Sequence, residues 1–380
     1  MDSQTSDWIV ASYLAMAHYS AFQGKYVLDL TYRREGNSRF AAEERWGNFG
    51  AIGAAWNVHR EQFMDNVDFI SNLKLRTSYS ITGNANIGIN LYQSLLYFDS
   101  DYAGEGAAYV GTFGNKNLTW ENSKTFDIGL DFGFLENKLT GSIAYYKRNS
   151  TDLLLEVPLS YTVGILDSNG RARQTRNIGE MENYGVELEM NFDIVRRSDF
   201  NLSIGGNVAT TKNEVLKLAK DLNGEEINIT SNTQRVATGH PVYGWYMPTW
   251  AGVNPETGNE EWYVDGEGSE KTDDYNEANQ AWQGGSALSE ITAGINLHVD
   301  FKGVFLDANA YYAGGHKIYE DWHRYINQAH AYPLTVFNGL NTLMDRCQKP
   351  GDIARNGKME YTYYPWQSHS KLLHDGDYFR

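Results

Sequence analysis

Apolar and polar residues alternate over stretches of about ten positions, repeatedly along the chain, and this pattern restricts the fold more than any other feature. In an extended strand successive side chains point to opposite faces, so each such stretch carries one greasy face and one hydrophilic face. Residues 25–34 place Tyr26, Leu28, Leu30 and Tyr32 on one side and Asp29, Thr31 and Arg33 on the other. Residues 72–82 set Leu73, Leu75, Tyr79 and Ile81 against Lys74, Arg76, Ser78 and Ser80. The longest clean examples are Phe126, Ile128, Leu130, Phe132 and Phe134 against Asp127 and Asp131, and Tyr184, Val186, Leu188, Met190, Phe192 and Ile194 against Glu187, Glu189 and Asp193. Residues 200–208 and 291–301 repeat the pattern.

Strands of soluble sandwiches also alternate, but they run to about five or six residues. Runs of ten or more, several ending in Tyr or Trp, suit tilted strands that cross a bilayer between interfacial aromatic girdles. The connections agree. Short links near Gln23-Gly24, Glu136-Asn137-Lys138, Arg197-Ser198-Asp199 and Lys302-Gly303, and a medium one over 59–71, alternate with longer segments at 35–46, 83–121, 150–183, 212–288 and 314–376. Transmembrane barrels have this rhythm of short periplasmic turns and long outer loops. The pattern predicts ten strands before the last long segment and an eleventh beginning near Tyr378, and so an all-β, antiparallel transmembrane β-barrel, partial, with long extracellular loops.

Composition narrows the function. The 380 residues include 26 Tyr and 37 Gly but only 7 Pro, a bias toward strands and tight turns. Mean hydropathy is −0.52 and no run is apolar enough for a spanning helix, which is no argument against a barrel, whose strands need only every second residue apolar. A net charge of −16 disfavours nucleic acid as a partner. The single Cys347 excludes an intrachain disulfide framework. The opening Met1-Asp2-Ser3-Gln4 has no secretory signal, so the reading expects a truncated start.

Candidate chemistry is sparse. Segment 212–288 holds Trp245, Tyr246, Trp250, Trp262 and Tyr263 among acids such as Asp265, Glu267, Asp273 and Asp274. Aromatic faces with nearby carboxylates suit a glycan or peptide, and suit equally a loop that packs its rings against itself. His316 and His323 lie near Glu320 and Asp321 without a strong zinc spacing, so no metal site is assigned. Asp167-Ser168-Asn169-Gly170 reads as a turn or as a calcium loop. With no nucleophile elbow, P-loop or dinucleotide fingerprint, the reading assigns no catalytic residue and no cofactor.

Several phrases resemble the SusC/RagA family of TonB-linked outer-membrane proteins. These are KYVLDLTYRREGNSRF at 25–40, WGNFGAIGAAWNVHREQFM from 46, LKLRTSYSITGNANIG at 73–88, NLTWENSKTFDIGLDFGFLENKLTGSIAYYKRNSTDLLL at 117–155 and NIGEMENYGVELEM at 177–190, in family order. GHPVYGWYMPTWAGVNPETGNEEW, YYAGGHKIYEDW and HDGDYFR continue the likeness, while Glu35, Asn37 and Ser80 depart from the usual residues. The resemblance implies part of a larger barrel over 1–380, with plug, N-terminal domain and final strands outside the chain, in the outer membrane of a Gram-negative bacterium. It implies import of oligosaccharides or peptides, not catalysis, with a SusD-like surface lipoprotein, the TonB-ExbB-ExbD system and outer-membrane lipid as partners. Asp29, Arg33, Lys74, Arg76, Glu187 and Glu189 would then face the lumen or plug. A small outer-membrane barrel hydrolase and a surface glycan-binding protein are the alternatives.

Overall fold

A computed structural model describes residues 7–102, 105–164, 171–326, 338–359 and 367–380. Its dominant element is one sheet whose main strands lie side by side in strict chain order. They are β1 (Val10–Ala21), β2 (Tyr26–Asn37), β3 (Trp46–Asn57), β4 (Ile70–Asn84), β5 (Glu121–Phe134), β6 (Leu139–Pro158), β7 (Arg173–Arg196), β8 (Phe200–Thr210), β9 (Ile291–Phe301), β10 (Val304–Gly314) and β11 (Tyr378–Phe379). The fold class, the ten long strands and the late eleventh are as the alternation predicts.

Register converts the sequence pattern into a two-faced wall. Tyr26, Trp56, Leu75, Leu130, Ile143, Leu188 and Val208 are successive cross-strand partners from β2 to β8, an unbroken apolar tier. Directly paired residues share a face, so the tier one residue along lies on the opposite face. That tier runs Asn57, Lys74, Asp131, Ser142, Glu189 and Asn207. Large side chains on the first face stay open to the surroundings, Ile52, Ile128 and Ile194 among them, which suits lipid rather than water as their medium.

Short turns collect at one end of the wall. Lys302 and Gly303 both have positive φ, 50° and 86°, the two-residue turn whose twist matches its flanking strands. An aromatic row borders that end: Phe69 stacks on Phe134 and Phe134 on Phe132, and Phe200 meets Phe301 edge-on. There Tyr26 Oη, Trp56 Nε1 and Lys25 Nζ all donate to Glu61, at 2.7, 3.0 and 3.2 Å. The bonds from Tyr26, Trp56 and Lys25 hold the Glu61 carboxyl below its usual range.

Two strands outrun the sequence reading, which expects a loop over 150–183. β6 continues to Pro158 and β7 begins at Arg173. An irregularity between Ser150 and Leu153, with Asp152 at φ 59°, shifts the phase of the alternation and hides the continuation. Within 83–121 a hairpin pairs Leu96–Tyr102 with Glu105–Val110, and within 212–288 Lys212–Lys217 extends the sheet beside β7.

Contacts divide the chain into a unit of 1–227 with 292–311 and a second of 228–291 with 312–380. The first holds its dry core at the long-loop end, where Phe40, Phe49, Ile87, Leu118 and Trp120 cluster. The second is built from a four-stranded sheet (Ile229–Thr230, Gln234–Val236, Gly244–Pro248, Gln280–Ser286), a three-stranded one (Trp250–Val253, Glu260–Tyr263, Lys271–Thr272) and a pair (Lys317–Tyr319 with Leu373–Asp375). Trp245, Met247, Trp262, Leu343 and Leu372 are buried within it.

Candidate functional site

The polar face of the wall is a field of hydrogen-bonded and ion-paired side chains, most of them reaching between neighbouring strands. Asp131 receives Arg76 at 3.0 Å and Lys74 at 3.7 Å, and Ser78 donates to Asp127 at 3.4 Å. His18 meets Asp29, and His298 meets Asp307, each at 2.6 Å and each a few residues from a short turn. Arg33 pairs with Glu35 and also donates to Ser12 at 3.3 Å. Asp29, Arg33, Lys74, Arg76, Glu187 and Glu189 therefore share one face, opposite the apolar tier, by the register of β2 to β7. Such a surface holds water and offers both donors and acceptors to a hydrated solute.

At the long-loop end, distant stretches of sequence are tied into one knot. Trp120 packs on Phe40 and Phe49, with ring centroids 5.3 and 5.1 Å apart, and its indole donates to the Arg45 carbonyl at 3.2 Å. Glu121 accepts from Asn84 at 2.7 Å and from the Leu154 backbone at 2.9 Å. Asn122 donates to Asp152 at 3.0 Å, and Asn177 donates to the carbonyls of Thr119 and Asp152, each at 2.8 Å. All five of the phrases first quoted thus meet here, two through the rings of Phe40 and Phe49 and three through the hydrogen bonds of Asn84, residues 119–154 and Asn177.

Against known proteins, the family described as TonB dependent receptor-like, beta-barrel matches residues 5–323. The chain belongs to that family. It is 36% identical to the TonB-dependent receptor SusC of Bacteroides thetaiotaomicron over 216 residues, 55% of this chain and 21% of SusC. It is 29% identical to the TonB-dependent receptor P26 of Formosa agariphila over 407 aligned positions, 100% of this chain and 39% of that receptor. The structure of the RagAB peptide transporter superposes with a TM-score of 0.85 at 25% identity, over 98% of this chain and 40% of the other. The chain thus spans between about a fifth and two fifths of the length of these relatives. A TonB-dependent receptor wall belongs in the outer membrane of a Gram-negative cell, and the hydrolase and glycan-binding-protein alternatives fall away.

In this receptor the loop aromatics are divided by burial. Trp245 and Trp262 are buried, the first against Tyr319 and the second between Tyr275 and His369, and they serve the packing of their own unit. Tyr246, Trp250 and Tyr263 are half-buried, and each carries a cation against its ring: Arg235, Lys371 and Lys271 at 4.7, 5.1 and 5.7 Å. Lys371 also pairs with Glu260 in a nearly dry setting. Burial alone would raise the Glu260 carboxyl, but the Lys371 ammonium, His369 and the bonds from Lys371 and Gly357 outweigh it and hold the group below its ordinary range.

Sequence reading of the receptor misses contacts that only pairing creates. His374 joins Glu320 and His323 through the strand pair 317–319 with 373–375, while His316 instead bonds Ser289 at 3.2 Å. Glu260 and Lys371 stand far apart in sequence with no motif between them. The Trp-Glu-Asn run at 120–122 was the available signal for the knot, since three residues of such unlike chemistry at a strand start call for separate partners. Asp167-Ser168-Asn169-Gly170 lies outside the described residues.

Proposed function

We propose that the chain is part of a TonB-dependent outer-membrane importer of oligosaccharides or peptides, working beneath a SusD-like surface lipoprotein and energised by TonB-ExbB-ExbD. The observation that carries the reading is the two-faced wall: one face apolar from strand to strand, the other filled with paired charges. In a wide barrel the charged face lines the lumen, so Asp29, Arg33, Lys74, Arg76, Glu187 and Glu189 meet the plug and the hydrated solute. The outer membrane stores no ATP or ion gradient, so accumulation draws energy from the inner membrane. Likeness to the RagAB peptide transporter supports peptides, and half-exposed Tyr246, Trp250 and Tyr263 support either class.

The test is uptake of labelled peptides and labelled oligosaccharides by cells producing the full-length receptor, with and without TonB. TonB-dependent accumulation of one class, lost when the lipoprotein is deleted, supports the reading. Uptake indifferent to TonB overturns it.

A further inference from the structure

Glu320, His323 and His374 bring one carboxylate oxygen and two imidazole nitrogens within 4.8 Å of one another. We propose that these three side chains bind a divalent transition-metal ion of the Zn²⁺ type, with at least one coordination position left open. The three groups come from opposite ends of the long segment that follows β10. Glu320 directly follows the strand Lys317–Tyr319, His323 opens the short helical turn His323–Ile326, and His374 is the middle residue of the strand Leu373–Asp375.

Backbone bonds set this convergence. Ile318 is the cross-strand partner of His374, the Glu320 amide donates to the Leu372 carbonyl at 2.9 Å, and the His323 amide donates to the Glu320 carbonyl at 2.9 Å. Both imidazoles address the same atom, Glu320 Oε2: His374 through Nε2 at 3.1 Å and His323 through Nδ1. In a tetrahedral zinc site, with bonds of about 2.0–2.2 Å, the ligand atoms stand roughly 3.3 Å apart. Both imidazole nitrogens already lie inside that distance of Glu320 Oε2, so small side-chain rotations that widen these two edges admit an ion. A ligating imidazole presents its unprotonated nitrogen to the ion and carries its ring proton on the other nitrogen.

The chemistry of the set selects the ion. Two imidazoles with a single carboxylate suit zinc and its neighbours, whereas calcium and magnesium take shells of oxygen. All three side chains are partly exposed, so an ion can enter from solvent, and water or a donor from an arriving solute completes its shell. Bound metal would clip the strand pair together and stabilise the loop unit, since binding free energy is added to the folded state.

The experiment is titration of the chelator-stripped, detergent-solubilised full-length receptor with Zn²⁺ by calorimetry, followed by Co²⁺ substitution. One equivalent should bind saturably at pH 7.5, and Co²⁺ should show the intense visible bands of a tetrahedral site. H323Q and H374Q should each weaken binding by at least about ten-fold, while H240Q leaves it unchanged. No saturable binding by the unaltered protein, Co²⁺ spectra of the hexaaquo type, or binding unaffected in both H323Q and H374Q would each overturn the proposal. Because the unaltered protein supplies the first two outcomes, misfolding of a variant does not rescue it.

Discussion

Asn177 and Thr119 pair as two strands would, although neither forms a ladder with the other: the Asn177 carboxamide oxygen accepts the Thr119 amide at 3.0 Å, and its nitrogen donates to the Thr119 carbonyl at 2.8 Å. A third bond reaches the Asp152 carbonyl at 2.8 Å. One side chain thereby anchors the run into β5 and the irregular turn of β6. Replacing Asn177 by Ala should loosen both, at a local cost of about 1–3 kcal/mol for the polar groups left behind. Amide exchange near Thr119 and Asp152 should speed up, with the short-turn end unaffected. Unchanged exchange there would remove the anchoring role.

Gly185 lies where β7 passes the end of β8, and a Cβ built on it would come 1.8 Å from the Thr210 carbonyl oxygen. Since backbone cannot yield as a flexible side chain does, Gly185→Ala should force the two strands apart and abolish the heat-modifiable, folded band on gels. Gly106→Ala, whose Cβ would meet nothing within 4 Å, is the matched control and should migrate normally. A normal band for both would show that the strands have slack.

Leu130 sits in the apolar tier and Ser142 in the polar one, on the adjacent strands β5 and β6. Leu130→Arg should cost about 2–4 kcal/mol in the bilayer and lower the fraction recovered in urea-washed outer membranes. Ser142→Arg, flanked in register by Asp131 and Glu189, should insert as well as the original. Equal yields would mean that the two faces do not meet different media.

Lys371 and Glu260 make a buried pair, with side chains 5% and 11% exposed. Lys371→Met strands the carboxylate and should destabilise the loop unit by roughly 3–5 kcal/mol. The pH dependence has a definite sign. The Glu260 carboxyl is lowered in the folded state from 4.5, so its contribution is present above that pH and disappears as acid takes the pH through the lower folded value. Lys371→Met removes the strongest opposition to burial, leaving only His369 and the Gly357 amide, and the acid transition should move upward. Proteolysis of segment 228–291 across pH reads both, and an unmoved transition would show that other groups set it.

Most of the wall is legible in the chain because membrane strands obey a rule of period two: Leu28, Leu75, Leu130 and Leu188 could be assigned to one face before any partner was known. The rule fails where the bilayer no longer enforces it. Beyond Ser150 an irregularity shifts the phase, and at 173–183 there is no lipid to demand an apolar residue at every second place, so the outer parts of β6 and β7 read as loop. The loop unit was legible in composition but not in arrangement. Trp245 and Trp262 look like Trp250 in sequence, and only packing separates the buried rings from the half-exposed one. The Glu320, His323 and His374 cluster escaped for the same reason, since His374 arrives through a strand pair whose two segments are too short to announce themselves.

The strict chain order of the wall also has a kinetic meaning. From β1 to β8 each arriving strand finds its partner at the edge left by the one before, joined to it by a connection that is already in place, so the sheet can lengthen by successive hairpins with little loop-closure cost. The longest interruption is at residues 211–290, which intervene before β9 can reach β8. Until that segment condenses, β8 presents an open hydrogen-bonding edge, which makes the β8–β9 seam a place where a stalled chain is exposed to mispairing.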